Sequence, residues 1–247
     1  MGLDGKETKI IMKRLLLILP LLALMFIACK NDDDAENGNT EAQLVKTITI
    51  TDGVNEYGSW NFEYDKKNRL VNVNFEDNIM ATLSYTENDL ISLNISGYGV
   101  FYFAKQENKI TAIVVGTGAV RDTIVTELNS DSYPNYIMFN NDENYIYTFQ
   151  YVDGNVASVS FPYDEKNYKY DNKKPPFYHC KTPKWAFIYC SCIDDIYPEF
   201  FLGIKNNLIE YSNRSHIQSK CTYEYDVNDF PTKMFDNGRL VVTFTYY

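Results

Sequence analysis

The sequence predicts an all-β domain, a large curved antiparallel meander that forms an open or partly closed barrel. Composition is the first indication, because 21 Tyr and 15 Phe are residues that suit a pleated surface. Alternation is the second: Trp60, Phe62 and Tyr64 fall on one face of a strand, with polar residues between them. Further alternating stripes are Val71, Val73 and Phe75; Ile91, Leu93 and Ile95; and Tyr145, Tyr147, Phe149 and Tyr151.

A repeat of short turn motifs is the third indication. Asn68-Arg69-Leu70, Asn88-Asp89-Leu90 and Asn108-Lys109-Ile110 stand twenty residues apart, and each opens a new alternating run. Asn tolerates the positive φ that a tight hairpin turn requires. Twenty residues accommodate two strands of about seven residues with two turns. The chain is therefore predicted to be a succession of hairpins.

Residues 172–220 interrupt this pattern and are predicted to be an insertion in the β domain. Pro175-Pro176 ends a strand, and Thr182-Pro183 matches a helix start with Thr as the N-cap. An apolar stripe with helical spacing follows, formed by Trp185, Ile188, Tyr189, Cys192, Ile193 and Ile196. A short helix is expected to lie over one opening or face of the sheet, with an irregular loop as the alternative.

Residues 1–28 are predicted to be a secretory signal peptide whose true start is Met12. The basic Lys13-Arg14 precedes an apolar run, residues 15–27, which is shorter than the roughly 20 residues of a membrane-spanning helix. The run ends in Phe26-Ile27-Ala28-Cys29, which resembles the bacterial lipobox. That resemblance implies cleavage before Cys29 and lipidation of its thiol, for example with palmitate. An ordinary signal peptide with an incidental cysteine is the alternative.

Residues 29–44 are predicted to be the lipidated cysteine and a disordered acidic tether, ahead of a single β domain at 45–247. The start of the tether, Cys29-Lys30-Asn31-Asp32-Asp33-Asp34, resembles a signal that sends some Gram-negative lipoproteins to the exterior. The expected location is therefore the outer membrane, with the domain facing the cell exterior.

The charge of the chain restricts its partners. Its formal net charge is −10, and removal of residues 1–28 leaves 19 basic and 31 acidic side chains, a net charge of −12. A negative field repels nucleic acid and anionic lipid headgroups. We therefore expect no nucleic-acid partner and membrane attachment through the acyl chains alone.

Two segments resemble single YD repeats, a Tyr-Asp motif of antiparallel shells. They are Tyr64-Asp65-Lys66-Lys67-Asn68-Arg69-Leu70 and the segment from Tyr225-Asp226 to Lys233. Together with Tyr170-Asp171 and Asn206-Asn207, they make residues 45–247 similar to a family of Gram-negative lipoproteins of unknown function with a porin-like β fold. The resemblance implies a strongly curved antiparallel sheet, and it implies no activity and no catalytic residues.

The candidates for chemistry are few. Besides Cys29 there are four cysteines, and an even number outside the cytoplasm indicates disulfides. Buried free thiols and a metal site with His179 are the alternatives. The four are Cys180, Cys190, Cys192 and Cys221. The chain has two histidines and no standard nucleophile, zinc or phosphate-loop motif. No catalytic residue, metal or cofactor is expected.

The sequence favours a non-enzymatic binding module for a glycan or protein partner. Tyrosines at a rim suit stacking on sugars or contact with a protein loop. The candidate ligand contacts are Tyr145, Tyr147, Tyr151 and Trp185. A structural or lipid-carrying envelope protein with an apolar groove is the alternative, and an enzyme is a minor one. The lining of the concave face discriminates between them, because polar groups indicate a polar ligand and a continuous apolar lining indicates lipid.

Overall fold

The computed structural model describes residues 42–116, 120–162, 164–193, 204–213 and 216–247, without the side chains of 120–121 and 190–193. Among these residues, sixteen antiparallel strands each pair with the next along the chain. The first strand also pairs with the last, so the sheet closes into a barrel. The predicted all-β meander is confirmed, and the closure is complete.

The strands are short and the turns between them are tight. Their bounds are β1 Val45–Thr51, β2 Glu56–Tyr64, β3 Leu70–Phe75, β4 Asn78–Tyr85, β5 Leu90–Ile95, β6 Gly99–Gln106, β7 Lys109–Val115, β8 Val120–Leu128, β9 Pro134–Phe139, β10 Ile146–Val152, β11 Asn155–Phe161, β12 Asp164–Tyr170, β13 Leu208–Asn213, β14 His216–Tyr225, β15 Pro231–Asp236 and β16 Arg239–Tyr246. A 3-10 turn at Glu143–Tyr145 precedes β10, and one α-helix, α1, spans Lys184–Ile193.

Alternate residues of each strand face the barrel interior, and most of these are apolar. Ile48 lies opposite Trp60 on one side and Phe244 on the other. Leu93 lies opposite Phe101, and both are at most 1% exposed. Burial of such side chains is the main favourable contribution to folding. The core of the domain is therefore the interior of the barrel.

The outer face over β1–β5 is mostly polar, although Ile79 on β4 is 59% exposed. The Thr47 hydroxyl donates a hydrogen bond to the amide oxygen of Asn61 on the next strand at 3.1 Å. The amides of Asn72 and Asn74 both donate to the carboxylate of Glu63. A barrel that faces lipid carries an apolar band outside and a polar interior. The arrangement here is the inverse over these strands.

The turns at one end of the barrel repeat the same hydrogen bonds. In the first, the Asp65 carboxylate accepts from two backbone N–H groups of the turn, and the Asp65 N–H donates to the Arg69 carbonyl at 2.9 Å. Turns that begin at Asn129 and Asp226 repeat this arrangement. Asn68 has a φ of 61°, the positive value predicted for the turn asparagine.

Tyrosines at this same end connect neighbouring strands. Each of five hydroxyls donates a hydrogen bond of 2.7–2.9 Å to the carbonyl of the residue that opens the preceding strand. The pairs are Tyr64 with Val45, Tyr85 with Leu70, Tyr151 with Pro134, Tyr223 with Leu208 and Tyr246 with Pro231. Part of the tyrosine excess therefore joins neighbouring strands at this end of the barrel.

The insertion replaces one of these turns, and we call this the insertion end. The Asp171 N–H donates to the Asn207 carbonyl, and the Asp171 carboxylate accepts from the Asn207 N–H, both at 3.0 Å. Residues 172–206 thus stand where the first turn has only residues 66–68. Strand pairing resumes at Leu208, earlier than the predicted boundary at residue 220.

The predicted helix forms, and the face of the sheet that it covers is the inner one, so it lies inside the barrel. Residues 185–189 are all at most 5% exposed, and five consecutive helical residues cover every side of a helix. The Trp185 ring is 5.0 Å from the ring of Phe103, an interior residue of β6. The spacing of the stripe predicts one apolar face, but Ala186 and Phe187, which lie between residues of the stripe, are apolar too. The helix is therefore buried on all sides. Within the described residues, no helix has the length and apolar character needed to cross a bilayer.

The segment before the helix attaches it to the wall. The Thr182 hydroxyl accepts a hydrogen bond from the Leu70 N–H at 2.8 Å and lies 3.0 Å from the Tyr85 hydroxyl. Phe177 packs edge-on against Phe62 of β2, with ring centroids 5.1 Å apart. We call residues 177–193 the plug. Within it, Phe177, Cys180, Thr182 and residues 185–189 are buried and belong to the core of the barrel.

Candidate functional site

A cavity of about 440 Å³ lies inside the barrel at the end opposite the insertion. We call this the cavity end. Its wall consists of β1, β2 and β13–β16, strands from the two ends of the chain that barrel closure makes neighbours. Tyr57, which is 63% exposed, and the exposed Gln218 line it, so solvent reaches it. Its volume falls within the roughly 300–1,000 Å³ of small-molecule sites.

The cavity follows from the number of strands. A barrel of about eight strands is just wide enough for its own side chains to fill, whereas one of 16–18 strands leaves a lumen. This barrel has sixteen strands. The plug enters from the insertion end and fills part of the interior, and the cavity is a part that it leaves open at the other end.

One side of the cavity is apolar and aromatic. Leu208 and Val242 are 3% and 2% exposed, and Met234 lies beside them in the lining. Tyr211 of β13 and Tyr223 of β14 add two aromatic rings. Such a surface suits the apolar face of a ligand ring.

A carboxylate and a hydroxyl stand on the polar side. The Ser219 hydroxyl donates a hydrogen bond to Oδ1 of Asp236 at 2.5 Å, and the Asn237 amide donates to the same oxygen at 3.2 Å. Oδ2 of Asp236 accepts no hydrogen bond from any described residue, although a carboxylate has room for about four. This oxygen is an acceptor that a ligand hydroxyl or amine would satisfy.

The mouth of the cavity has a fixed pair of opposite charges. Backbone N–H groups of Asn55 and Val54 and the Tyr57 hydroxyl hold the pKa of Asp52 well below its usual range. The hydrogen bond to Asp52 in turn raises the pKa of Tyr57. Arg239 lies 3.4 Å from the Asp52 carboxylate and donates to its backbone carbonyl at 3.2 Å. The guanidinium charge is therefore already balanced by Asp52.

The four predicted ligand contacts lie elsewhere in the structure. Tyr145 is 63% exposed in the 3-10 turn before β10. Tyr147 packs in the interior against Phe139, and Tyr151 is one of the five tyrosines that connect strands. Trp185 belongs to the plug and is 4% exposed. The four are not brought together, and their contact with a ligand stays a prediction.

A second cavity, of about 190 Å³, lies beside the plug at the insertion end. Trp185 lines it together with charged residues, among them Lys105 and Asp131. Burial lowers the pKa of Lys184, which also lines it. Its volume is less than half that of the first cavity, so the first is the stronger candidate for a ligand site.

The cysteines divide between the plug and the wall. Cys180 is a free thiol, 2% exposed, at the start of the plug. Cys221 lies on β14 in the lining of the 440 Å³ cavity, where its sulfur is 3.5 Å from the Ser219 hydroxyl. The side chains of Cys190 and Cys192 lie outside the described residues. Disulfides that include these two therefore stay a prediction.

The described residues show little that would support catalysis or metal binding. They include no group of three or more His, Cys, Asp or Glu side chains placed to hold a metal ion. The His179 ring packs on Phe230, with centroids 5.4 Å apart, and His216 opens β14 at the cavity end. The lining of the 440 Å³ cavity can hold a molecule that has both an apolar ring face and hydrogen-bonding groups.

Sequence reasoning did not find Tyr211, Asp236 or Arg239. Each lies in a strand or turn of the regular repeat, and the sequence does not distinguish it from its neighbours. These residues could be found only by assuming that the meander closes. Pairing of the first strand with the last places the residues after β1 beside the β15–β16 turn.

No protein-family model matches the chain, and the comparison with curated proteins finds no match. Among solved structures, the chain is similar to the crystal structure of a porin-like protein from Bacteroides vulgatus ATCC 8482. The TM-score is 0.35 and the sequence identity 11%, over 83% of this chain and 99% of that chain.

Proposed function

We propose that the chain is a lipid-anchored outer-membrane protein that faces the cell exterior and acts as a non-enzymatic binding module for a glycan. The observation that carries the proposal is the solvent-connected cavity of about 440 Å³ at the cavity end of the barrel. A binding site of that size on a rigid closed sheet needs little reorganisation when a ligand enters.

The lining favours a glycan over a lipid. Tyr211 is paired with Ser219 across β13 and β14, and Met234 lies two residues before Asp236 on β15, so ring and apolar contacts alternate with hydrogen-bonding groups along this wall. A sugar presents both an apolar face and hydroxyls. An acyl chain would cover Oδ2 of Asp236 without offering it a hydrogen-bond donor, which costs free energy.

The direction of β1 agrees with binding of a ligand from the medium. β1 begins with Val45 at the insertion end and runs towards the cavity end. The chain therefore enters the barrel at the plugged end, and the cavity mouth is at the other. The mostly polar outer face over β1–β5 also agrees with a barrel that is held at the membrane by its lipid.

Disaccharide binding is the first test. Saturation-transfer NMR on the full chain in a non-ionic detergent, with a panel of neutral, amino and acidic disaccharides, should detect binding. Tyr211→Ala removes a ring contact of about 1 kcal/mol and should weaken binding at least about fivefold. Gln218→Ala, at an exposed position of the lining, should weaken it without loss of core packing.

Tyr102→Ala is the matched control, because this tyrosine of β6 is 53% exposed and outside the cavity lining. Its affinity for the disaccharide should equal that of the wild type. Binding of a long-chain fatty acid with no binding of any disaccharide would refute the glycan proposal and favour the lipid-carrying alternative.

Lipidation is tested at Cys29. Cells that express the wild-type chain should incorporate labelled palmitate into it, whereas Cys29→Ala should yield an unlabelled chain, either uncut or released from the membrane. Cys180→Ala is the control and should keep its label, because that thiol is buried in the plug. Equal labelling of wild type and Cys29→Ala would contradict the anchor.

A further inference from the structure

The acceptor groups of the cavity restrict the kind of glycan that it can hold. Asp236 and Asp52 are the two carboxylates of the lining, and Arg239 is its one cation. Arg239 faces Asp52 at 3.4 Å with its side chain 65% exposed, and its single positive charge can offset only one of the two carboxylates. The lining as a whole therefore carries one net negative charge, within a chain of net charge −10.

The Asp236 carboxylate is held in a fixed orientation. Oδ1 accepts hydrogen bonds from both the Ser219 hydroxyl and the Asn237 amide, and these two contacts set the direction of the carboxylate. Oδ2 is left as an acceptor without a donor among the described residues. Ser219 is 7% exposed and lies on the interior side of β14, so this acceptor belongs to the wall of the cavity rather than to the outer surface.

We propose that the cavity selects neutral and amino sugars and rejects uronic acids and other anionic sugars, with Asp236 as the specificity-determining residue. This inference rests on the proposed glycan-binding function. A hydroxyl or ammonium group of the sugar donates to Oδ2 of Asp236. A sugar carboxylate in its place meets a like charge that no free cation of the lining offsets, and repulsion between like charges at close range lowers affinity.

The test compares matched disaccharides that differ only in one ring substituent: a hydroxymethyl group, an amine or a carboxylate. With the full chain in non-ionic detergent at low salt, the acidic member should bind at least about tenfold more weakly than the neutral one. The amino member should bind at least as tightly as the neutral one. Higher salt should narrow the differences, because ions screen charges near solvent.

Asp236→Asn is the decisive variant, because it keeps the shape of the side chain and its capacity to accept from Ser219 while it removes the charge. It should reduce the discrimination against the acidic disaccharide to about threefold or less and remove any preference for the amino member. Glu87→Gln makes the same change in net charge at an exposed turn of the insertion end and should leave the ratios unchanged.

The outcomes separate the two proposals. Equal or tighter binding of the acidic disaccharide by the wild type, or an unchanged ratio in Asp236→Asn, would overturn the selectivity and leave the glycan site standing. Absence of binding by every member of the panel would refute the glycan site and the selectivity with it.

Discussion

Replacement of Ile188 by Asp is expected to prevent the barrel from folding. Ile188 is fully buried in the plug, at 0% exposed. The substitution loses about 1.5–3 kcal/mol of apolar burial and places a carboxylate among apolar side chains, which costs several kcal/mol more. The sum is comparable to the total stability of about 5–15 kcal/mol that a domain has. Size-exclusion chromatography and urea unfolding of the full chain in detergent measure the effect.

A milder variant and a control keep this prediction testable if Ile188→Asp yields no soluble protein. Trp185→Ala should fold and lose about 3–5 kcal/mol of unfolding free energy, because the ring that packs on Phe103 is removed. Val152→Asp makes an apolar-to-acidic change on β10, where the side chain is 62% exposed, and should change stability by about 0.5 kcal/mol or less. Similar urea midpoints for all three variants would show that the plug is not part of the core.

Much of the barrel could be predicted because its signals are local. Alternation over residues such as Trp60, Phe62 and Tyr64 identifies a strand without knowledge of its partner. The turn asparagine Asn68 indicates a hairpin, since positive φ is a property of a single residue. Each strand pairs with the next in sequence, so a meander needs no long-range information.

Closure and the position of the helix could not be predicted in this way. Whether a curved sheet joins its edges depends on the summed twist and on strand number, which no single window of sequence contains. The apolar positions around Trp185 and Ile188 gave the helix its period. The helix is buried on all sides because Ala186 and Phe187 are apolar as well. Such residues also occur on half-exposed helices, so their presence alone did not predict complete burial.

The candidate site was missed for a related reason. Asp52 and Arg239 are separated by almost the whole domain in sequence, and they meet only because β1 pairs with β16. The tyrosine stripe predicted to contact a ligand, from Tyr145 to Tyr151, divides between an exposed turn and the packed interior. Abundance of tyrosine indicated aromatic contacts correctly, but it did not indicate which of them connect strands and which line a cavity.

The tyrosines that connect strands give the barrel a second large expected response, which is unfolding at alkaline pH. Burial raises the pKa of three of them, Tyr64, Tyr85 and Tyr246, and of Tyr170 at the end of β12 well above the usual value of 10.0. A phenol whose pKa is higher in the folded state contributes stability that is fully present below about pH 10. That contribution is lost as the pH rises from 10 towards the raised pKa, because the unfolded chain releases the proton first.

The expected loss is steep because four groups act together. Each buried phenol lowers the free energy of unfolding by about 1.4 kcal/mol per pH unit above pH 10, so four give roughly 5–6 kcal/mol per unit. Lys184 acts in the opposite direction, since burial lowers its pKa and its penalty fades as the pH rises towards 10.5, but it is a single group. A stability of about 5–15 kcal/mol would thus be exhausted within roughly one to three pH units above 10.

Urea unfolding at a series of pH values between about 9 and 12, followed by circular dichroism, measures this slope, and tyrosinate absorbance should rise in the same transition. Tyr246→Phe removes one phenol, so the slope of its unfolding free energy against pH should be smaller than that of the wild type by about 1.4 kcal/mol per pH unit. The variant should be less stable at pH 9, because the hydrogen bond to the Pro231 carbonyl is lost. Tyr145→Phe changes an exposed tyrosine and should keep the wild-type slope. A barrel whose unfolding free energy stays constant from pH 9 to about pH 12 would show that these hydroxyls are not buried between the strands.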